Sequence, residues 1–160
     1  MVYAALAKET GRFLCIVTPG EAEATRFAGD LNALGIPTAV FPARDYVLRP
    51  IEGTAREYEY RRLSVLGDIV GGRLQAVCVP DEGLTQYTTP RAEFCNNTRT
   101  LHPGDTVPRT ELTALLYNAG YARSAQVDGP GQFSIRGDIV DLYAPDMKLP
   151  RAYGILGRRD

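Results

Sequence analysis

At 160 residues and 17.5 kDa the chain has room for one ordinary domain or two small ones and can bury a core without disulfide staples. Hydrophobic residues make up 44% and charged residues 23%, a globular composition, and every apolar run falls short of the ~18 residues a membrane span requires. The formal charge of -1 is evenly spread, 9 basic against 11 acidic residues up to Thr88 and 9 against 8 after it, which excludes the polycationic surface that drives autonomous nucleic-acid binding.

The opening segment VYAALAKE reads as the tail of a helix stopped by Gly11, and RFLCIV as a short, continuously apolar, buried strand. Lys8, Glu9 and Arg12 precede that short run, so it is not a secretory signal, and a cytoplasmic location with no membrane partner is expected. Thr18-Pro19-Gly20 is a turn, followed by a helix with Ala24, Phe27, Ala28, Leu31 and Leu34 on one face and Gly35 as its C-cap. TAVFP is the next strand, and residues 43–50 form a loop. A helix from Thr54 to about Val70 follows, with Thr54 and Glu57 spaced as a capping box and Glu57 four residues before Arg61. Gly71-Gly72 ends it, and LQAVCVP is a third buried strand. The β-α-β-α-β order implies a parallel sheet with helices on its faces. Since the chain opens on a helix with no strand before it, it is expected to be part of a longer protein.

After about Thr89 the rhythm changes. PRTELTALLYNAG is a helix with Leu112, Leu115 and Leu116 as its apolar stripe. Short strand signals follow at residues 121–127, 132–136 and 139–143, with a last one near 149–155, and the tight turns between them predict antiparallel pairing. The expected organisation is α/β: a parallel α/β segment over residues 1–90, then a small α+β module, an antiparallel sheet plus a helix, over 91–160.

Chemistry is sparse. No GxxxxGK[ST] loop occurs, and Gly129-Pro130-Gly131 matches neither that motif nor GxGxxG, so no phosphate cradle is legible. The strand ending in Asp81-Glu82 imitates an Mg²⁺-holding element, but it lacks the accompanying loop. His102, the single histidine, sits beside Pro103-Gly104 in a turn; with no CxxC, HExxH or Ser/His/Asp grouping, neither a metal site nor nucleophilic catalysis is expected. Cys15 and Cys78 lie in apolar runs and are expected to be buried thiols. The distinctive stretch is YARSAQVDGPGQFSIRGDIVDLY, whose strands would project Arg123 and Arg136 from adjoining ends. Those arginines mark either a solvated sheet face or a protein-docking face, where guanidinium forks pair with carboxylates.

At these residues GYARSAQVDGPGQFSIRGDIVDLYAPD resembles the signature of the UvrA-binding domain shared by UvrB and the bacterial transcription-repair coupling factors. Upstream, FPARD, REYEYRRL, VCVPDEGLTQYTTP and TLHPGD are similar to the N-terminal region of the coupling factors. The resemblance implies a helicase-like α/β layer without nucleotide-binding residues, followed by a non-catalytic module that docks on UvrA. RNA polymerase and DNA contacts, and the ATP and Mg²⁺ of a translocase motor, would belong to other regions of the parent protein, with no cofactor in this segment. In the UvrB-like pattern R-N…F-R-V-R-G-D, Arg123 matches the first arginine and Arg136 the last, with Phe133 and Gly137-Asp138 around them. Ser134 stands at the edge of the site, in the place of the middle arginine. The ending RAYGILGRRD departs from the acidic FFGDE-like ending, so regular pairing of the last strand is not assumed. The alternative from another class is a remnant nucleotide hydrolase that keeps nucleotide or DNA binding in its α/β half.

Overall fold

A computed structural model describes residues 2–44, 54–102, 105–145, 147 and 149–154. Two compact units divide the chain, Met1–Thr88 and Thr89–Asp160. The fold is α/β, with one parallel and one mixed sheet among the described residues.

In the first unit the described elements are α1 (Val2–Thr10), β1 (Leu14–Thr18), α2 (Glu21–Ala33), β2 (Thr38–Val40), α3 (Thr54–Val70), β3 (Ala76–Pro80) and the short α4 (Asp81–Thr85). The strands are all parallel in the order β1-β3-β2, so the last strand in sequence is the middle one. Its position explains its composition. Ala76 and Cys78 pack into a cluster with Ala24, Ala28, Leu31 and Ile36, whereas Val77 and Val79 point the other way onto Phe41 and Val65. A strand covered on both faces has no polar position to spare, and all five residues of β3 are buried.

β1 has the same apolar character but only alternate burial: Ile16 and Thr18 are buried, Cys15 and Val17 exposed. The expectation of a buried Cys15 is therefore wrong, because an apolar run does not say whether one face or both are covered, and β1 is an edge of the described sheet. Two details of the helices also differ. Leu34 lies beyond the end of α2 and is exposed, since the chain turns at Gly35, whose φ is +76°. Arg61 pairs with Glu21 of α2 at 3.8 Å in place of the anticipated Glu57. The capping role expected of Thr54 concerns a side chain outside the described set, as do residues 45–50 of the expected loop.

Arg62 is the one buried arginine among the described residues, and it ties three segments together. Its position on α3 falls on the same face as Val65, Leu66 and Ile69, and its guanidinium lies over the Phe41 ring at 4.1 Å. Nη1 donates to the Pro42 carbonyl at 2.8 Å and to Gln86 Oε1 at 3.2 Å, and Nη2 donates to Thr88 Oγ1 at 2.8 Å. Gln86 in turn accepts from the Arg44 N–H at 2.6 Å and donates to the Arg44 carbonyl at 3.0 Å. The charge is buried against an aromatic face with its donors satisfied, which is how such a group is tolerated in an interior.

In the second unit the described elements are α5 (Arg91–Asn96), α6 (Arg109–Asn118), β4 (Ala122–Arg123), β5 (Gln132–Arg136), β6 (Ile139–Tyr143) and β7 (Arg151–Gly154). The sheet order is β4-β5-β6-β7. Leu116 of α6 packs on Phe133, Ile135 and Val140, with Leu112, Tyr121 and Leu142 around them. Phe133 is fully buried and meets Tyr117 edge to face at 5.3 Å, a burial worth about 2–3 kcal/mol.

Pairing is antiparallel for β5-β6 and β6-β7 but parallel for β4-β5, so the all-antiparallel expectation is corrected. The DGPG stretch is not a hairpin turn. It is the end of a return loop that brings the chain back to start β5 beside the start of β4, held by Gln132 Oε1, which accepts the N–H groups of Asp128 and Gly129 at 3.1 and 3.2 Å. The last strand, whose pairing the sequence leaves open, pairs regularly, Leu142 opposite Arg151 through Ile139 opposite Gly154. Residues 155–160 lie outside the described set.

Two predictions follow from burial. Arg62→Met should lower stability by about 2–4 kcal/mol in urea denaturation, because it leaves the Pro42 carbonyl and Thr88 Oγ1 without the guanidinium donor and removes one of the two donors to Gln86 Oε1; a change below about 0.5 kcal/mol would contradict the clamp. Burial, and secondarily Cys15, pushes the Cys78 thiol up to about 11, so it stays protonated near neutral pH. Alkylation at pH 8 should modify Cys15 and Cys95 in the folded chain and Cys78 only on unfolding, as read by mass spectrometry of the three cysteine peptides.

Candidate functional site

The β5–β6 hairpin sets the positions of the arginine-bearing segment. Gly137, with φ +58°, takes the first central position of the two-residue turn, where a hairpin of type II′ requires glycine. That turn fixes Arg136 opposite Ile139 and Ser134 opposite Asp141. Phe133 and Ile135 then face the α6 side, where both are buried, and Ser134 and Arg136 share the other face.

Arg123 and Arg136 are both exposed, and they meet at one place. A cavity of about 420 Å³ is lined by Arg123, Ser124, Ala125, Ser134, Ile135 and Arg136. Ser134, where the resemblance has an arginine, is 3% exposed and contributes a small wall residue. The two arginines differ in their surroundings. Arg136 Nη2 donates to Asp141 Oδ2 across the hairpin, while the rest of its guanidinium faces solvent; its side chain is 68% exposed against 19% for Asp141. Arg123 has no carboxylate partner among the described residues. An exposed pair of this kind contributes about 0–1 kcal/mol, so the contact with Asp141 orients Arg136 without consuming its remaining donors.

The sequence offers three carboxylates near these arginines, Asp128, Asp138 and Asp141. The hairpin register selects Asp141, because residues 134 and 136 share a face with 141 once the turn is known to have two residues. The other chemistry-bearing residues are not part of the cavity lining. His102 is exposed, its N–H donating to Asp105 Oδ2 at 2.8 Å and its ring 3.6 Å from the same carboxylate. Asp81 and Glu82 start α4 and are exposed, and Asp81 Oδ1 accepts the Glu82 N–H at 2.7 Å. No group of three or more metal-ligating side chains converges among the described residues, and no described helix is long and apolar enough to cross a membrane.

Comparison with known proteins converges on the same segment. Residues 100–152 match the family described as the UvrB interaction domain, and all six residues lining the cavity fall inside that span. Over 141 residues the chain is 28% identical to the transcription-repair-coupling factor of Bacillus subtilis strain 168, a match covering 87% of this chain and 12% of that protein. Over 103 residues it is 27% identical to the transcription-repair-coupling factor of Staphylococcus aureus strain USA300, covering 64% of this chain and 9% of that protein. The chain thus spans about an eighth or less of the length of these relatives.

Asp141→Asn should leave stability within about 1 kcal/mol of the parent chain in urea denaturation, because the Arg136 end of the pair is solvent-exposed and an asparagine oxygen can still accept from it. A loss above about 3 kcal/mol would make the Arg136–Asp141 pair a structural element and not a positioning contact.

Proposed function

We propose that this chain, similar over most of its length to transcription-repair-coupling factors and carrying a UvrB interaction domain, is a non-catalytic docking segment that binds UvrA. In this reading it brings the nucleotide excision repair machinery to a lesion where RNA polymerase has stalled. The contacts to polymerase and DNA, and the ATP- and Mg²⁺-dependent translocation, belong to the rest of the parent protein. The observation that carries the reading is the convergence of Arg123 and Arg136 on one cavity inside the span matched by the UvrB interaction domain.

The chemistry fits the role. A guanidinium offers five donors in a planar fork that takes a carboxylate with two parallel hydrogen bonds, and Arg123 and Arg136 both have donors open to solvent. Their side chains stand on a sheet held by the Phe133 core, so a partner would meet them without a large folding step. Within the first unit, Pro42, Arg62, Gln86 and Thr88, which come from three of the segments similar to the coupling factors, meet at the Arg62 clamp.

Arg123→Ala and Arg136→Ala should each weaken the complex with UvrA by roughly thirty-fold, the equivalent of about 2 kcal/mol for a central interface arginine. Surface plasmon resonance with the 160-residue chain measures this, and a thermal melt of each variant should stay within 2 °C of the parent. Unchanged affinity in both variants would contradict the docking assignment.

A further inference from the structure

β5 has five residues, yet β4 covers only its first two: the register runs Ala122 opposite Gln132 and Arg123 opposite Phe133, and stops. The Ala122 N–H donates to the Gly131 carbonyl and the Ser124 N–H to the Phe133 carbonyl, each at 2.9 Å, and the second of these is the last rung. Successive residues of a strand direct their backbone N–H and C=O groups to opposite edges. Ile135, two residues beyond Phe133, therefore aims both groups at the edge that β4 has already left. Among the described residues no backbone partner meets them there.

The cavity runs along this open stretch. One side is made by Ser134, Ile135 and Arg136 of β5, the other by Arg123, Ser124 and Ala125, where the chain departs from the sheet. Arg123 lies level with Phe133, and Arg136 is three residues further on, so the two cations flank roughly 10 Å of unpaired strand edge at ~3.3 Å per residue. The register also puts them on opposite faces, Arg123 on the face of Phe133 and Arg136 on that of Ser134. Neighbouring side chains of an added strand alternate faces in the same way, so two adjacent acidic residues would reach both arginines.

We propose that this notch is a strand-addition site. An extended acidic segment of a protein partner continues the line of β4 along β5, exchanging main-chain hydrogen bonds with Ile135 while its carboxylates pair with Arg123 and Arg136. The proposal rests on the docking reading above and adds the conformation and charge of what docks. Main-chain bonding to an open edge supplies affinity, and the two guanidinium forks restrict the occupant to an acidic sequence. Ser134 has a place in it as well: a small residue in the cavity wall keeps the edge accessible.

The test uses the isotope-labelled chain and the capped hexapeptide Ac-TVEEVT-NH2, followed by NMR titration and amide exchange. The peptide should slow exchange of the Ile135 amide at least ten-fold at saturation. The same peptide N-methylated at its central amides should bind at least ten-fold more weakly, and Ac-TVKKVT-NH2 should not bind. Equal binding of the N-methylated peptide, or an Ile135 amide that exchanges unchanged at saturation, would overturn the proposal. So would protection of Ile135 that rises with chain concentration in the absence of peptide, since a second copy would then be the occupant. A parallel titration with UvrA separates the two readings. A UvrA complex that weakens with Arg123→Ala but leaves Ile135 exchange unchanged removes strand addition and keeps docking. Protection by the acidic peptide with no UvrA complex keeps the notch and removes UvrA as the partner.

Discussion

The guanidinium of Arg62 is the interaction on which the first unit depends. Three stretches far apart in sequence have no backbone ladder joining them: the end of β2, the middle of α3 and the chain after α4. Arg62 joins them with hydrogen bonds to Pro42, Gln86 and Thr88 while covering the Phe41 ring. Because the group is buried, each of these acceptors is needed; an unpaired charge there would cost several kcal/mol. The paired bonds between Gln86 and Arg44 then lock the chain after α4 to the chain after β2.

The second unit uses the same side chain in the opposite way. Arg123 and Arg136 stand on a sheet whose order comes from elsewhere, from Phe133, Ile135, Val140 and Leu116, so their donors are not required for folding. Arg136 spends one donor on Asp141 and keeps the others, and Arg123 is free of any carboxylate among the described residues. Burial decides the difference: an arginine saturated by its own chain is structural, and one held at a surface with donors to spare is available to a partner.

Much of the architecture was legible because it rests on local patterns. The helices announce themselves by apolar spacing and by glycines at their ends, among them Gly11 and Gly35, both with positive φ. The continuous apolar run at β3 correctly marks a strand covered on both faces. What was not legible depends on which strand neighbours which. The sequences of β1 and β3 look alike, but β3 is covered on both faces and β1 on one, so Cys15 is exposed and Cys78 is not. The pairing of β4 with β5 was misread because DGPG has turn chemistry, although it closes a return loop and not a hairpin. The roles of Arg62 and Ile135 had no local signal: the first is one of two adjacent arginines on a charged helix, and the second matters through its backbone. The two arginines of the candidate site were named from the sequence, whereas the Asp141 contact and the open edge between them required the register.

Hydroxyl-radical footprinting of the whole chain in complex with UvrA locates the contact without altering the protein. Docking through Arg123 and Arg136 should centre the protection on the segments 121–125 and 133–139, with the first unit, including Thr18–Gly20 and Asp81, labelled as in the free chain. Protection confined to the strand ends of the parallel sheet, with Arg123 and Arg136 labelled as before, would contradict it.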